Sequence, residues 1–285
     1  MLKRRFALTR CLQARKVEQM RPVSGQKDPI VQLLRELTGE DGRKRRGQFF
    51  AEGDELVRRA FDFGGKVESL VVTERFAASP QAADLLERAT QARAEVYSAT
   101  EGLLAKILEA KPTPDCLAIV ERRIAPLSDI FTVACPLVAM VEHGENADNL
   151  GMLLRSTDAA GVDGVILAAD TTDPFSRRVV RGSRGAVFTV PICIQHDSAK
   201  PIAEAKKQGL QVIATSARSD IAYTAVDYTK ATMIVVGNEH VGISETVRGL
   251  ADAVVRIPMR GRINSLNIAV AASLALYEAV RQRGY

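Results

Sequence analysis

The chain has 285 residues, 46% of them hydrophobic and 26% charged, with a formal net charge of +5 and a pI of about 9.1. That length allows two modest domains or one large one, and the composition is that of an ordinary globular protein with a core to bury. Its longest apolar stretches, such as "PLVAMV" and "TMIVVG", are too short to cross a bilayer as helices, so no membrane partner is expected.

The chain opens with "MLKRRFALTRCLQARKVEQMR", seven Lys/Arg against one acid. Residues 1–28 read as a basic extension, expected to be flexible and to touch RNA. The composition also resembles a transit peptide, but an apolar core of secretory length is lacking; a start site assigned too early is another reading. In "DPIVQLLRELTG" the spacing of Ile30, Leu33, Leu34 and Leu37 predicts one helical face, with Gly39 as its stop. "GRKRRGQ" (42–48) is a second basic cluster. "GDELVRRAFDF" is amphipathic, and "KVESLVVT" is strand-like. "SPQAADLLERATQA" reads as a helix with Ser79 as N-cap and Pro80 in its first position. "AEVYSA" reads as a strand, "TEGLLAKILEA" as a helix and "DCLAIVE" as a strand. The segment 122–136, "RRIAPLSDIFTVACP", has two prolines and no strong period. It marks a seam, and a domain boundary is expected near residue 125.

The alternation resumes after the seam. "PLVAMVE" reads as a buried strand, "NLGMLLRSTDAAG" as a helix ending at Gly161, and "DGVILAA" as a strand. Asp173 and Pro174 are expected to open a helix through "SRRVVRGS", within the third basic cluster (176–185). "VFTVPI" is expected as a strand and "DSAKPIAEAKKQG" as a helix. "LQVIATSA", "TMIVVGNE" and "DAVVRIPM" read as strands, and a helix runs from about Ser265 to Arg281. Strands alternating with helices predict an α/β fold with a mainly parallel sheet covered on both faces. Cys11, Cys116, Cys135 and Cys193 are far apart, without CxxC pairs. They read as reduced thiols in a cytoplasmic protein, and the scattered His143, His196 and His240 suggest no zinc site.

Ligands of open α/β sheets bind beyond the carboxyl ends of the strands, so the loops there carry the functional candidates. In "EHGENADNLGMLLRS" Asn149 stands just before the expected helix, where an N-cap role would also explain it. Arg155 is flanked by Leu150, Leu153 and Leu154, and is read either as facing a cleft or as plain helix surface. In "VVGNEHVGIS" Gly237 permits close approach of a ligand to backbone, and Gly242 allows a sharp return. Asn238 and Glu239 are polar groups at a strand end. No phosphate-binding glycine pattern is present, which disfavours a nucleotide-binding oxidoreductase. "RGRINSLN" brings the fourth basic cluster (260–262) to the mouth of the last helix. There Ser265 reads as N-cap, and Asn267 is left without a role. Basic clusters suggest a polyanion, most often nucleic acid, if they share a face; solvated surface is the alternative for each.

"NADNLGMLLRSTDAAGVDGVIL", "IVVGNEHVGIS" and "IPMRGRINSLNIAVAASLALYEAV", in this order and spacing, resemble the three motifs of the SpoU/TrmH family of SPOUT-class RNA 2′-O-methyltransferases. "DPFSRRVVRGSRGAVFTVPI" resembles the segment between the first two. The resemblance covers nearly all of residues 136–283. Residues 29–125 resemble, less specifically, the L30e-like RNA substrate-binding domain that often precedes this catalytic domain. The resemblance implies a SPOUT-type parallel sheet with a C-terminal trefoil knot over 126–285, preceded by the smaller α/β domain. It implies S-adenosylmethionine as cofactor, RNA as substrate, a homodimer, and no metal. It places Asn149, Arg155, Glu239, Ser265 and Asn267 in catalysis. It places Gly237, Asn238, Ile257, Met259 and Leu266 at the cofactor. The bulky, basic "RGRIN" before Ser265 departs from the small residues common there and bears on substrate choice.

Methyl transfer from a sulfonium needs an oxygen nucleophile held in line and water excluded. A guanidinium is a poor base. Arg155 is therefore expected to bind the phosphate beside the target ribose and stabilise the developing alkoxide. The proton would leave to that phosphate or to an Arg155 of depressed pKa. Arg177, Arg178, Arg181 and Arg184 are expected on RNA phosphates. The extra domain and basic tail favour rRNA over tRNA. A non-catalytic RNA-binding or ribosome-assembly protein on the same scaffold is the alternative.

Overall fold

Two hydrophobic patterns build two separate sheets. The computed structural model describes residues 20–238, 241–262 and 265–284. The basic extension therefore lies outside the described residues up to residue 19, and so do Glu239 and the 263–264 step before Ser265. The chain divides into two compact units between Arg122 and Arg123. No described helix is long and apolar enough to cross a membrane.

The first unit runs β1 (Arg21–Pro22), α1 (Pro29–Thr38), α2 (Glu40–Arg46), β2 (Gln48–Glu52), α3 (Asp54–Asp62), β3 (Val67–Thr73), α4 (Glu74–Ala77), α5 (Ala82–Gln91), β4 (Glu95–Ala99), α6 (Glu101–Leu108) and β5 (Cys116–Glu121). The sheet order is β1-β4-β3-β5-β2, with β5 antiparallel to both β3 and β2. The sheet is thus mixed, because β5 runs against the parallel β1, β4 and β3, and β2, a short run unread in the sequence, pairs against β5 at the edge. Leu34, Leu37, Leu104 and Leu108 pack with Phe50, Val71, Leu117 and Ile119 in one core.

Ser79 does not cap its helix. α5 begins at Ala82 after Gln81, and the Ser79 carbonyl accepts from Ala82 N–H at 3.2 Å. The 42–48 cluster is not a free cationic patch either. Arg43 is buried and donates from Nη1 to the carbonyls of Leu37 and Thr38, both at 2.9 Å, closing the C-terminus of α1. Arg45 and Arg46 pair with Glu36 at 3.1 and 2.8 Å, and Lys44 pairs with Glu40 at 2.7 Å. These cations are used within the unit.

The second unit holds β6 (Leu137–Glu142), α7 (Ala147–Ala159), β7 (Gly164–Ala168), α8 (Arg177–Ser183), β8 (Ile192–Gln195), α9 (Ala199–Lys207), β9 (Gln211–Thr215), β10 (Ile221–Ala222), β11 (Thr232–Val236), α10 (Glu245–Leu250), β12 (Ala253–Arg256) and α11 (Ile268–Gln282). The order β10-β12-β9-β11-β6-β7-β8 is parallel at every pairing. Both faces are covered, so β6, β7 and β11 are buried at every residue. The run 187–192 is not a strand. Gly185 at φ +101 turns the chain into a short 3-10 helix, Ala186–Phe188, and pairing begins only at Ile192. Helix α8 starts at Arg177, after Ser176, and not at Asp173, whose carboxylate instead accepts from Phe175 N–H at 3.1 Å.

From β12 the chain returns to pack α11 against α7 and β11. The end of α11 is clasped. Gln282 Oε1 accepts from Tyr228 N–H at 2.8 Å, and the Arg283 guanidinium donates to the carbonyls of Tyr228, Cys135, Pro136 and Lys230. Beside it Glu278 is buried against Arg281, with contacts at 2.9 and 2.8 Å. Those hydrogen bonds lower the Glu278 carboxyl from the ordinary 4.5 to about 2. The unfolded chain therefore takes up this proton at higher pH than the folded one. The contribution is complete above pH 4.5 and disappears as pH falls toward about 2. Acid melting curves should show this loss in the wild type, and Glu278→Gln should flatten that part of the pH dependence.

Candidate active site at the carboxyl edge of the parallel sheet

The sheet order reverses direction between β6 and β11: β7 and β8 lie to one side, β9, β12 and β10 to the other. Loops leaving neighbouring strands separate at such a switch point and leave a crevice. Here Val141, Gly144, Asn146, Asn149, Leu153 and Ile268 line a shallow one. The sequence candidates from three loops can be located around it.

Asn149 is not the N-cap of α7. Asn146 is, accepting from the N–H groups of Asp148 and Asn149 at 2.9 and 3.1 Å. Nor does Ser265 cap α11. Asn267 does so, accepting at Oδ1 from Ala269 N–H at 2.9 Å. The rest of the Asn267 side chain turns outward, and its Nδ2 donates to Asn149 Oδ1 at 2.7 Å. The first turns of α7 and α11, 118 residues apart in sequence, are thus joined by two amides. Ser265 is exposed and Leu266 half-buried on the approach to this cap.

The second loop folds on itself. Gly242, at φ +78, makes the return, and its N–H donates to Asn238 O at 2.8 Å. A Cβ on Gly237 would stand 2.3 Å from Gly242 C and 2.5 Å from Ile243 N. Gly237 is therefore required by its own turn, whatever ligand approaches it. Asn238 Nδ2 donates to His143 O at 3.2 Å, which ties this loop to the end of β6. The third loop leaves β12 with Ile257 half-buried and Met259 exposed. Among the described residues the backbone of 257–262 makes no hydrogen bond to another segment.

Arg155 does not face this crevice in the single chain. At about 100° per residue it lies roughly 120° round the helix from Asn149. Leu150, Leu153, Leu154 and Thr157 take the buried side, and Arg155 shares the exposed side with Asp148 and Met152. No hydrogen bond or ion pair joins Arg155 to another described residue. Helix α8 crosses α7 at a glycine contact. A Cβ on Gly151 would lie 2.9 Å from Gly182 Cα, so the two backbones touch. That contact brings α8 alongside α7, with Arg178, Arg181 and Arg184 exposed, Arg177 half-buried, and Arg178 Nη2 at 3.8 Å from Asp148.

The model of the SpoU rRNA methylase family matches residues 136–277, the segment that carries every one of these loops, and that of the MRM3-like substrate binding domain matches 28–118. An uncharacterized tRNA/rRNA methyltransferase of Synechocystis is 32% identical over 92% of this chain and 94% of its own. The chain belongs to the SpoU rRNA methylase family. A 23S rRNA (uridine(2479)-2′-O)-methyltransferase of Streptomyces viridochromogenes is 30% identical over 87% of both chains. An AdoMet-bound rRNA methyltransferase from Sinorhizobium meliloti superposes with a TM-score of 0.83 at 33% identity, covering 92% of this chain and 98% of that one.

One residue of this SpoU domain was not singled out in the sequence. Glu142, the last residue of β6, is 2% exposed. Its Oε1 accepts from Ser198 Oγ at 2.6 Å and Ser244 Oγ at 2.8 Å, and its Oε2 accepts from Ser244 N–H at 2.8 Å. Ser198 precedes α9, and Ser244 caps α10 directly after the Gly237–Gly242 turn. One carboxylate therefore holds the end of β6, the start of α9 and the return of the second loop. A polar residue closing an otherwise apolar strand is the available sequence signal, though any strand end looks alike in that respect.

Two substitutions test these supports. Gly237→Ala should cost about 1–3 kcal/mol or more in chemical denaturation, whereas Gly249→Ala, with nothing within 4 Å of its Cβ, should cost nothing. Glu142→Gln should place an amide against Ser244 N–H. It should lower stability by about 1–3 kcal/mol and speed hydrogen exchange at Ser244 more than at the β6 amides.

Proposed function

We propose that this chain transfers a methyl group from S-adenosylmethionine to a ribose 2′-hydroxyl of RNA, in rRNA rather than tRNA. The observation that carries this reading is the 2.7 Å bond between Asn267 and Asn149, which gathers the first and third loops beside the Gly237–Gly242 turn at the switch point. The AdoMet-bound Sinorhizobium relative supports the cofactor, and the Streptomyces 2′-O-methyltransferase supports the ribose target. The residues fit such a group. Gly237 is packed so closely that only backbone is presented there, and the 257–262 backbone is unpaired within the described chain. Gly237, Asn238, Ile257, Met259 and Leu266 would hold the cofactor, which supplies a methyl group made electrophilic by its sulfonium.

Asn149 and Asn267 keep the two helix starts in register, and Ser265 orders the third loop. Glu239, outside the described residues, is assigned to the loop backbone or to an arginine of a second copy. Arg155 acts as a cation, binding the phosphate next to the target ribose and stabilising the alkoxide as it develops. Its outward direction fits a site completed by a second copy of the chain. Met152 on α7 and Val270, Leu274 and Tyr277 on α11 form an exposed apolar stripe, with exposures of 45%, 45%, 38% and 49%. A homodimer packed through this stripe would cover it and bring Arg155 toward the neighbouring crevice.

Residues 29–125 serve as the RNA-docking domain and 126–285 as the catalytic one, with Arg177, Arg178, Arg181 and Arg184 on RNA phosphates. The trefoil knot belongs to the same proposal, and the return of α11 onto α7 and β11 supports it. We place the protein in the cytoplasm. Cys116, Cys135 and Cys193 are free, and burial pushes the Cys116 thiol up to about 12, far from reactive.

Mapping 2′-O-methylation in rRNA and tRNA with and without the gene tests the reaction and its substrate. An unchanged map, with no heat of S-adenosylmethionine binding, would favour the non-catalytic alternative. Arg155→Lys retains charge and loses the fork. It should lower turnover by about 100-fold or more and leave cofactor binding intact; normal turnover would remove Arg155 from this role.

A further inference from the structure

Arg256 ends β12, and Arg260 and Arg262 lie on the run that follows it. Arg218 comes from a different place in the chain, the turn after β9. That turn is fastened to β12, since Ser216 N–H donates to Val255 O at 2.8 Å and Ser219 Oγ donates to Val254 O. Arg218 N–H donates in turn to Ser216 Oγ at 3.3 Å, which fixes its backbone at the same corner. β12 pairs outward only with the two-residue edge strand β10, so the corner is the outer end of the carboxyl edge.

All four arginines are exposed, and among the described residues none of their side chains has a hydrogen bond or an ion pair. Asp220 lies two residues beyond Arg218 in the same turn, and Glu245 already faces Arg248 at 3.5 Å. The corner differs in this from the 42–48 cluster, where buried and paired partners consume the charge. Like charges that no ion pair neutralises repel one another, and a polyanion relieves that repulsion with release of its own counterions. Guanidinium forks match phosphate oxygens in pairs.

The strand order places this corner and helix α8 on opposite flanks. α8 follows β7, on the far side of β6 and β11. The switch-point loops lie between the two. We propose that Arg218, Arg256, Arg260 and Arg262 form a second RNA-phosphate contact surface, flanking the reactive edge on the side opposite α8. This rests on the reading that RNA is the substrate. It accounts for the bulky "RGR" before Ser265: the run adds phosphate contacts at the entrance to the site and aligns the strand that enters it.

The test uses the full chain and a labelled single-stranded uridine homopolymer, with affinity measured by fluorescence anisotropy over a range of potassium chloride concentrations. Each phosphate contact on a single strand contributes about 0.7 to the slope of log affinity against log salt. Arg218→Ala with Arg256→Ala should therefore reduce the slope by about 1.4. Arg218→Lys with Arg256→Lys should keep most of it. Thermal melting confirms that the variants fold, as expected for exposed positions. An unchanged slope in the double alanine variant overturns the surface and leaves an acidic protein partner as its remaining use. Calorimetry with S-adenosylmethionine is read separately. Its absence in the wild type would sink the methyl-transfer reading and leave the slope to judge this surface alone.

Discussion

The carboxyl edge depends on one buried carboxylate. Glu142 has both oxygens occupied by donors from Ser198 and Ser244, so its charge is compensated where water is excluded. A buried charge is tolerated only with such satisfaction, and the requirement works in both directions. The carboxylate needs the loops in place, and the loops are fixed by needing it. The Gly237–Gly242 turn then inherits a fixed position at one end from Ser244 and at the other from Asn238 on His143 O. A turn packed this closely on its own backbone needs such support, because side-chain rotamers cannot correct an error in backbone placement.

A second constraint sets where charge can go. α7 and α8 cross at Gly151 and Gly182 with no side chain between them. That closeness fixes the row of arginines on α8 relative to Asn149 and Arg155 on α7. The same helix α7 is gripped from its other side by α11, through Asn267 and Asn149. One helix thus relates the cation row, the polar amides and the C-terminal return. Arg155 stands exposed on its remaining face.

Much of this was legible in the sequence, for a physical reason. Parallel strands buried on both faces read as unbroken apolar runs, so β6, β7, β9 and β11 could be found without a structure. The glycine of the return, Gly242, could also be found, because only glycine adopts its φ readily. Other features were ambiguous at the level of residue type. "VFTVPI" is rich in β-branched and aromatic residues and reads as a strand, yet the left-handed Gly185 before it starts a 3-10 turn. "GRKRRGQ" looks like a polyanion site, but the Arg43 carbonyl contacts and the Glu36 ion pairs depend on how α1 and α2 pack. Ser265 reads as the cap of the last helix and Asn267 has no role in the sequence, yet Asn267 is the residue that caps it.

By itself the sequence determined most strands and helices of the second unit, with the 187–192 run and the start of α8 as exceptions. These follow from burial and period, which are local properties of a chain. Tertiary structure alone decided that Asn267 caps α11 while holding Asn149, that Glu142 fastens three segments, and that Arg155 faces outward. It also decided that the 42–48 cluster is paired within its own unit. The Asn267–Asn149 and Glu142 contacts depend on partners far away in sequence, and a hydrogen bond is defined by that distant partner as much as by the residue that makes it.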